Sequence, residues 1–73
     1  MRIIIVGCGK VGSTITEQLV KEGHDVAVID RDSDVIQDIT NNFDVMGVVG
    51  NGASYSIQKE AGIEDAHLLI AVT

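Results

Sequence analysis

The stretch Arg2-Ile3-Ile4-Ile5-Val6-Gly7-Cys8-Gly9-Lys10-Val11-Gly12 decides how this chain folds. Four β-branched apolar residues run into a glycine, the pattern of a buried strand that ends in a tight turn. The glycines fall at G-x-G-x-x-G spacing, and each has its own reason to lack a side chain. Gly7 lets the chain turn sharply out of the strand. Gly9 leaves room for the backbone to approach a pyrophosphate, and Gly12 lets the next helix lie close to the sheet. A helix beginning near Lys10 or Val11 aims its unpaired N–H groups, and the positive end of its dipole, at that same place.

Spacing alone is a weak signal, because eight glycines in 73 residues produce such intervals by chance. Context strengthens it. Hydrophobic patterning outward from the glycines predicts β1 at 2–6, α1 at 11–22, β2 at 25–29 and α2 at 33–41, followed by β3 at 45–49, α3 at 54–61 and β4 at 68–72. In α1, Val11, Ile15 and Leu19 recur every four residues and are expected to face the sheet, with Gly23 as the stop. In α2, Val35, Ile36 and Ile39 form the apolar stripe, Asp32 or Ser33 is the N-cap, and Asn41-Asn42 ends the helix. Ser54, Ile57, Ala61 and Gly62 supply cap, inner face and stop for α3. The strands read as nearly continuous apolar runs, as strands covered on both faces should.

Alternating strands and helices predict an α/β fold: a Rossmann-like, doubly wound parallel sheet, here its N-terminal βαβαβαβ portion in the order 3-2-1-4. A ligand then belongs at the carboxyl ends of the strands, at the switch point between β1 and β4. Residues 7–11, Asp30, the 50–53 loop and Thr73 all fall on that edge. Asp30 stands 18 residues beyond Gly12. A carboxylate there accepts hydrogen bonds from a ribose 2′-hydroxyl and repels a 2′-phosphate. The plainer role for Asp30 is capping the next helix, and one residue can do both.

Composition bounds the alternatives. A chain of 73 residues forms one small domain, and with only two aromatic residues its core must be built from Ile, Val, Leu and Ala. A net charge of −6 argues against binding nucleic acid or an anionic membrane through a basic face. It does not argue against a nucleotide whose phosphates meet backbone N–H groups. No segment reaches the roughly 18 apolar residues of a membrane span, and the short run after Arg2 is no signal peptide. One cysteine makes no internal disulfide, which fits a reducing cytoplasm. A complete doubly wound domain has six strands, so residues 1–73 are expected to be part of a longer protein. Residues 68–72 would then be an apolar edge that pairs with a second copy.

The glycine loop, with Val28-Ile29-Asp30-Arg31-Asp32, resembles the TrkA-type regulatory subunits of bacterial potassium-uptake systems and their RCK_N, or KTN, domain. The likeness continues through Gly50-Asn51-Gly52-Ala53-Ser54, Ala61-Gly62-Ile63-Glu64-Asp65-Ala66 and Leu68-Leu69-Ile70-Ala71-Val72-Thr73, so it covers essentially the whole chain in order. Generic dehydrogenases share only the glycine loop and the acid. The resemblance implies a cytoplasmic, non-enzymatic domain that binds NAD(H), or ATP or ADP as in some relatives. It also implies a membrane potassium transporter subunit as partner, and a homo-oligomer. Gly7, Cys8, Gly9, Lys10 and Val11 would cradle the phosphates, Asp30 the adenosine ribose, and Thr73 the distal half of the ligand. Many relatives carry a shorter Gly-Asp-Ala-Thr-like turn where this chain has residues 50–54, which leaves open whether Asn51 or Gly52 reaches the adenine.

Other residues have plainer readings. Cys8 is a small loop residue, or a thiolate stabilised at a helix N-terminus. Lys10 offsets phosphate charge or is simply solvated, and Arg31 stacks on adenine, neutralises a phosphate or lies on the surface. His24 and His67 lack partners at metal-ligand spacing. Asp32, Asp34, Asp38, Glu60, Glu64 and Asp65 read as solubilising surface. The competing function is the cofactor-binding fragment of an NAD-dependent oxidoreductase, but no acid or base for hydride transfer is apparent.

Overall fold

β1 (Arg2–Val6) lies at the centre of the molecule, and Ile3, Ile4 and Ile5 are fully buried. The computed structural model describes residues 1–7, 9–52 and 54–71, and for Tyr55 and Ile63 the backbone alone. Four parallel strands form one sheet in the order β3-β2-β1-β4, as the alternation of elements predicted. β1 is flanked in register by β2 (Asp25–Asp30) and β4 (Leu68–Ala71), with Ile4 opposite Ala27 on one side and Leu69 on the other. β3 (Met46–Val49) adds to the far side of β2.

Strand side chains alternate between faces, so each face has its own core. Ile3, Ile5, Val26 and Val28 meet Ile36 and Ile39 of α2 (Ser33–Asn42), with Ile15, Leu19 and Val20 of α1 (Lys10–Lys21) packed beside them. On the opposite face Ile4, Ala27, Ile29 and Val48 pack with Ala61, Ile57 of α3 (Tyr55–Glu60) and Ala66. Full burial of each Ile or Val among them contributes about 1.5–3 kcal/mol relative to exposure. A short 3₁₀ turn, Ile63–Asp65, follows α3 and leads into β4. His67 then joins β4 to β1 twice: its N–H donates to the Arg2 carbonyl (2.8 Å), and its Nδ1 accepts from the Arg2 N–H (3.1 Å).

Four expectations need correction. Val11 does not face the sheet; it is 63% exposed, and the buried face of α1 is Gly12 and Thr16. These two small residues, four apart, make the buried side of the helix, so Val11, one position before Gly12, turns outward. The Thr16 hydroxyl stays satisfied there by donating to the Gly12 carbonyl at 2.7 Å. Secondly, α2 ends on Asn42 rather than at 41: the Asn42 side-chain amide donates to the Asp38 carbonyl at 2.8 Å, and Phe43 is the C-cap. Thirdly, only the two central strands are covered on both faces. Met46 and Val49 on β3, and Leu68 and Leu69 on β4, stay exposed where these strands form the two edges of the described sheet. Fourthly, α3 is shorter than 54–61, with Ser54 in the N-cap position but making no side-chain capping bond. Gly23 and Gly62 do follow α1 and α3 with positive φ, as expected of helix stops.

The cap of α2 is resolved in favour of Asp32, whose side chain accepts from the Asp34 N–H at 2.9 Å. Asp32 is thus a structural residue and not merely a solubilising one. Asp32→Ala is expected to lower unfolding free energy by about 1 kcal/mol, and Ser33→Ala by less than about 0.5 kcal/mol. Urea denaturation with an unchanged m-value checks both.

Candidate functional site at the carboxyl ends of the strands

Parallel strands deliver every post-strand segment to one edge, and two backbone hydrogen bonds align those segments there. The Gly7 N–H donates to the Ile29 carbonyl and the Gly50 N–H to the Asp30 carbonyl, both at 2.8 Å. Gly7 has φ 88°, the left-handed region that an L side chain rarely adopts, and this bend takes the chain out of the sheet. It returns at Gly9, the N-cap of α1, with φ −64°.

Among the described residues no side chain caps α1, and no acidic residue stands in its first turn. The Ser13 N–H to Gly9 carbonyl bond (2.8 Å) is the first of the helix, so the N–H groups before it have no partner within the helix. A Cβ built on Gly9 meets nothing within 4 Å, so the space beside that entrance is open. Asp30 is the last residue of β2, one step later than the sequence suggested. Its Oδ1 accepts from the Asp32 N–H at 2.9 Å, which fixes the carboxylate at the strand end.

A cleft of about 590 Å³ opens along this edge, a volume within the usual range for small-molecule sites. On the β1–β4 side it is lined by Val6, Gly7, Leu69 and Ala71; on the β2–β3 side, by Ile29, Asp30, Arg31 and the 50–52 loop. Of the residues singled out from the sequence, the cleft thus gathers Gly7, Asp30, Arg31, Asn51 and Gly52. Gly9, Lys10 and Val11 are exposed at the start of α1 and do not line it. Cys8 and Thr73 lie outside the described residues.

One lining residue escaped the sequence reading. Gln58 on α3 reaches the cleft, and its Nε2 donates to the Gly52 carbonyl at 2.7 Å. A glutamine on a short helix reads as solvated surface, and no spacing rule marks it. Gly52 itself is pressed against Val6: a Cβ there would collide with Val6 Cγ1. The loop can therefore lie this close to the end of β1 only if residue 52 is glycine.

The glycine turn, the open helix entrance and the acid at the end of β2 define a Rossmann-type βαβ unit with a cleft at its switch point. The chain belongs to the TrkA-N domain family, which matches residues 3–73. It is 42% identical over all 73 residues to the Trk system potassium uptake protein TrkA of Halomonas elongata, covering 16% of that protein. Against the protein of the same name from Streptomyces coelicolor it is again 42% identical over its whole length, covering 33%. The chain therefore spans well under half the length of these relatives. Among solved structures it is similar to the TrkA-N domain of the inner membrane protein ybaL from Escherichia coli, with TM-score 0.88 and 30% identity over 96% of this chain and 51% of that one. It is also similar to the Kef CTD of Shewanella denitrificans in AMP-bound form, with TM-score 0.81 and 25% identity over 94% of this chain and 40% of that one. No helix among the described residues is long and apolar enough to cross a membrane.

The two loop glycines are expected to respond oppositely to a side chain. Gly52→Ala should destabilise the fold by about 1–3 kcal/mol through overpacking against Val6. Gly9→Ser places its Cβ in open space and supplies a capping hydroxyl, so stability should hold or rise by a few tenths of a kcal/mol. Thermal unfolding of both variants beside the parent measures the contrast.

Proposed function

We propose that this chain is the nucleotide-sensing domain of a bacterial potassium transport system. It binds NAD(H) in the cleft at the carboxyl ends of its strands, with ATP or ADP as the alternative ligands. The observation that carries the reading is that Gly7 and Asp30 line one open cleft, while α1, which starts three residues after Gly7, is left without an acid in its first turn. Backbone N–H groups and the dipole of α1 hold the diphosphate, with Gly9 giving room and Cys8, Lys10 and Val11 contributing main chain. Asp30 takes the adenosine ribose, Arg31 and the 50–52 loop flank the base, and Thr73 meets the distal half of the ligand.

The potassium-uptake relatives, and the AMP held by the Kef relative, favour this regulatory reading over an oxidoreductase fragment. In this reading the domain is not an enzyme, works in the cytoplasm, and acts on a membrane transporter subunit. Ligands control that partner by their unequal affinity for two conformations of the domain. In this reading the domain is also a homo-oligomer, for which the exposed Leu68 and Leu69 of β4 offer apolar surface.

Thermal unfolding with NAD⁺, NADH, NADP⁺, ATP and ADP tests the assignment. A ligand at 100 times its dissociation constant should add about 2.7 kcal/mol of stability when it binds only the folded chain. Gly9→Val should lose that gain while remaining folded; a retained gain would place the ligand elsewhere. Asp30→Asn keeps an acceptor for the Asp32 N–H but removes the charge, so it should narrow the preference for NAD(H) over NADP(H). Equal binding of the two by the unmodified chain would refute the role of Asp30.

A further inference from the structure

Gln58 carries more information than its place in the cleft wall. A carboxamide offers two N–H donors and one carbonyl acceptor, whereas the Gly52 carbonyl can only accept. The 2.7 Å bond from Nε2 to Gly52 therefore fixes which way the amide faces. Turning it over would break that bond and set two carbonyl oxygens against each other. With one N–H engaged, a second N–H and Oε1 remain on the same planar group, and Gln58 lines the cleft beside Asn51 and Gly52. Gly52 is in turn held against Val6, so the whole assembly is set before any ligand arrives.

An acceptor beside a donor complements the edge of a 6-aminopurine, whose exocyclic amine donates while N7 accepts. On that same edge a 6-oxopurine presents two acceptors, O6 and N7, and its other edge, N1–H beside O6, carries donor and acceptor in the reverse order, so it meets the pair only with the base reoriented. The tethered amide has no cheap way to rearrange for it. We propose that Gln58 is the base-discriminating residue of this cleft and makes it select 6-aminopurine over 6-oxopurine nucleotides. The inference rests on the nucleotide-binding reading above and adds to it the chemistry by which the base is chosen.

Two ligand pairs that differ only in that substituent provide the test: AMP with IMP, and NAD⁺ with nicotinamide hypoxanthine dinucleotide. Dissociation constants are measured by calorimetry for the unmodified chain, Gln58→Leu and Gln58→Met, with folding of each variant checked by circular dichroism. The unmodified chain should bind the 6-amino member of a pair about ten-fold or more tightly, as one good bidentate base contact allows. In the folded variants the ratio should fall to within about two-fold, mostly through weaker binding of the 6-amino member. A ratio that survives in a folded variant, or a ratio near one in the unmodified chain, overturns the role of Gln58 and leaves nucleotide binding standing. Failure of the unmodified chain to bind any of the four overturns both.

Discussion

The two backbone hydrogen bonds just past the strand ends, Gly7 to Ile29 and Gly50 to Asp30, are the constraint on which the candidate site depends. They extend the sheet's ladder one step beyond the strands, so three separate segments leave it side by side. β1 supplies the reference position. Its isoleucines are buried on both faces and its edges are occupied by β2 and β4, so its end cannot shift without disturbing both cores. The left-handed bend at Gly7 then sends the chain away from the ladder and towards α1. A residue with a Cβ at that bend would be strained.

The helix termini divide the electrostatic work. α2 is closed by its own side chains, with Asp32 capping it and Asp34 in its first turn. α1 has neither a capping side chain nor an acid there, and its cap residue is a glycine with open space beside it. In a chain of net charge −6, an entrance left bare of carboxylates keeps the helix dipole available to an anion. Fixed main-chain dipoles can attract a phosphate locally while the overall field of the molecule remains negative. Acidity and anion recognition are therefore compatible in this fold.

Much of this arrangement was readable in the sequence because glycine and aspartate have few other reasons to occur where they do. Gly7 and Asp30 sit at strand ends, where backbone reversal and a carboxylate each have a geometric purpose, and both line the cleft. Periodicity was less informative wherever a position depends on what lies beneath it. Val11 fits the α1 stripe by spacing, yet Gly12 and Thr16 take the buried side of the helix and leave it exposed. Leu68 and Leu69 look like interior strand residues, but β4 has a neighbour on one side only among the described elements. Gln58 was invisible for a third reason. Its place in the cleft wall goes with one hydrogen bond to a loop six residues earlier, a tertiary contact that no local pattern in the sequence announces.

That same contact chain bears on how a ligand could be felt beyond the cleft. The 50–52 loop touches the end of β1 through Val6, joins β2 through the Gly50 N–H, and is tied to α3 by Gln58. α3 in turn packs against the sheet through Ile57, in the core that also holds Ile4 and Ile29, and leads through the 3₁₀ turn to β4. Because the loop is pinned at three points, a molecule pressing on it cannot move it alone. The displacement has to be taken up by α3 or by the strand ends, and close-packed interiors take up strain by changing arrangement rather than by compressing. A loop with no such ties would absorb the same push locally and report nothing.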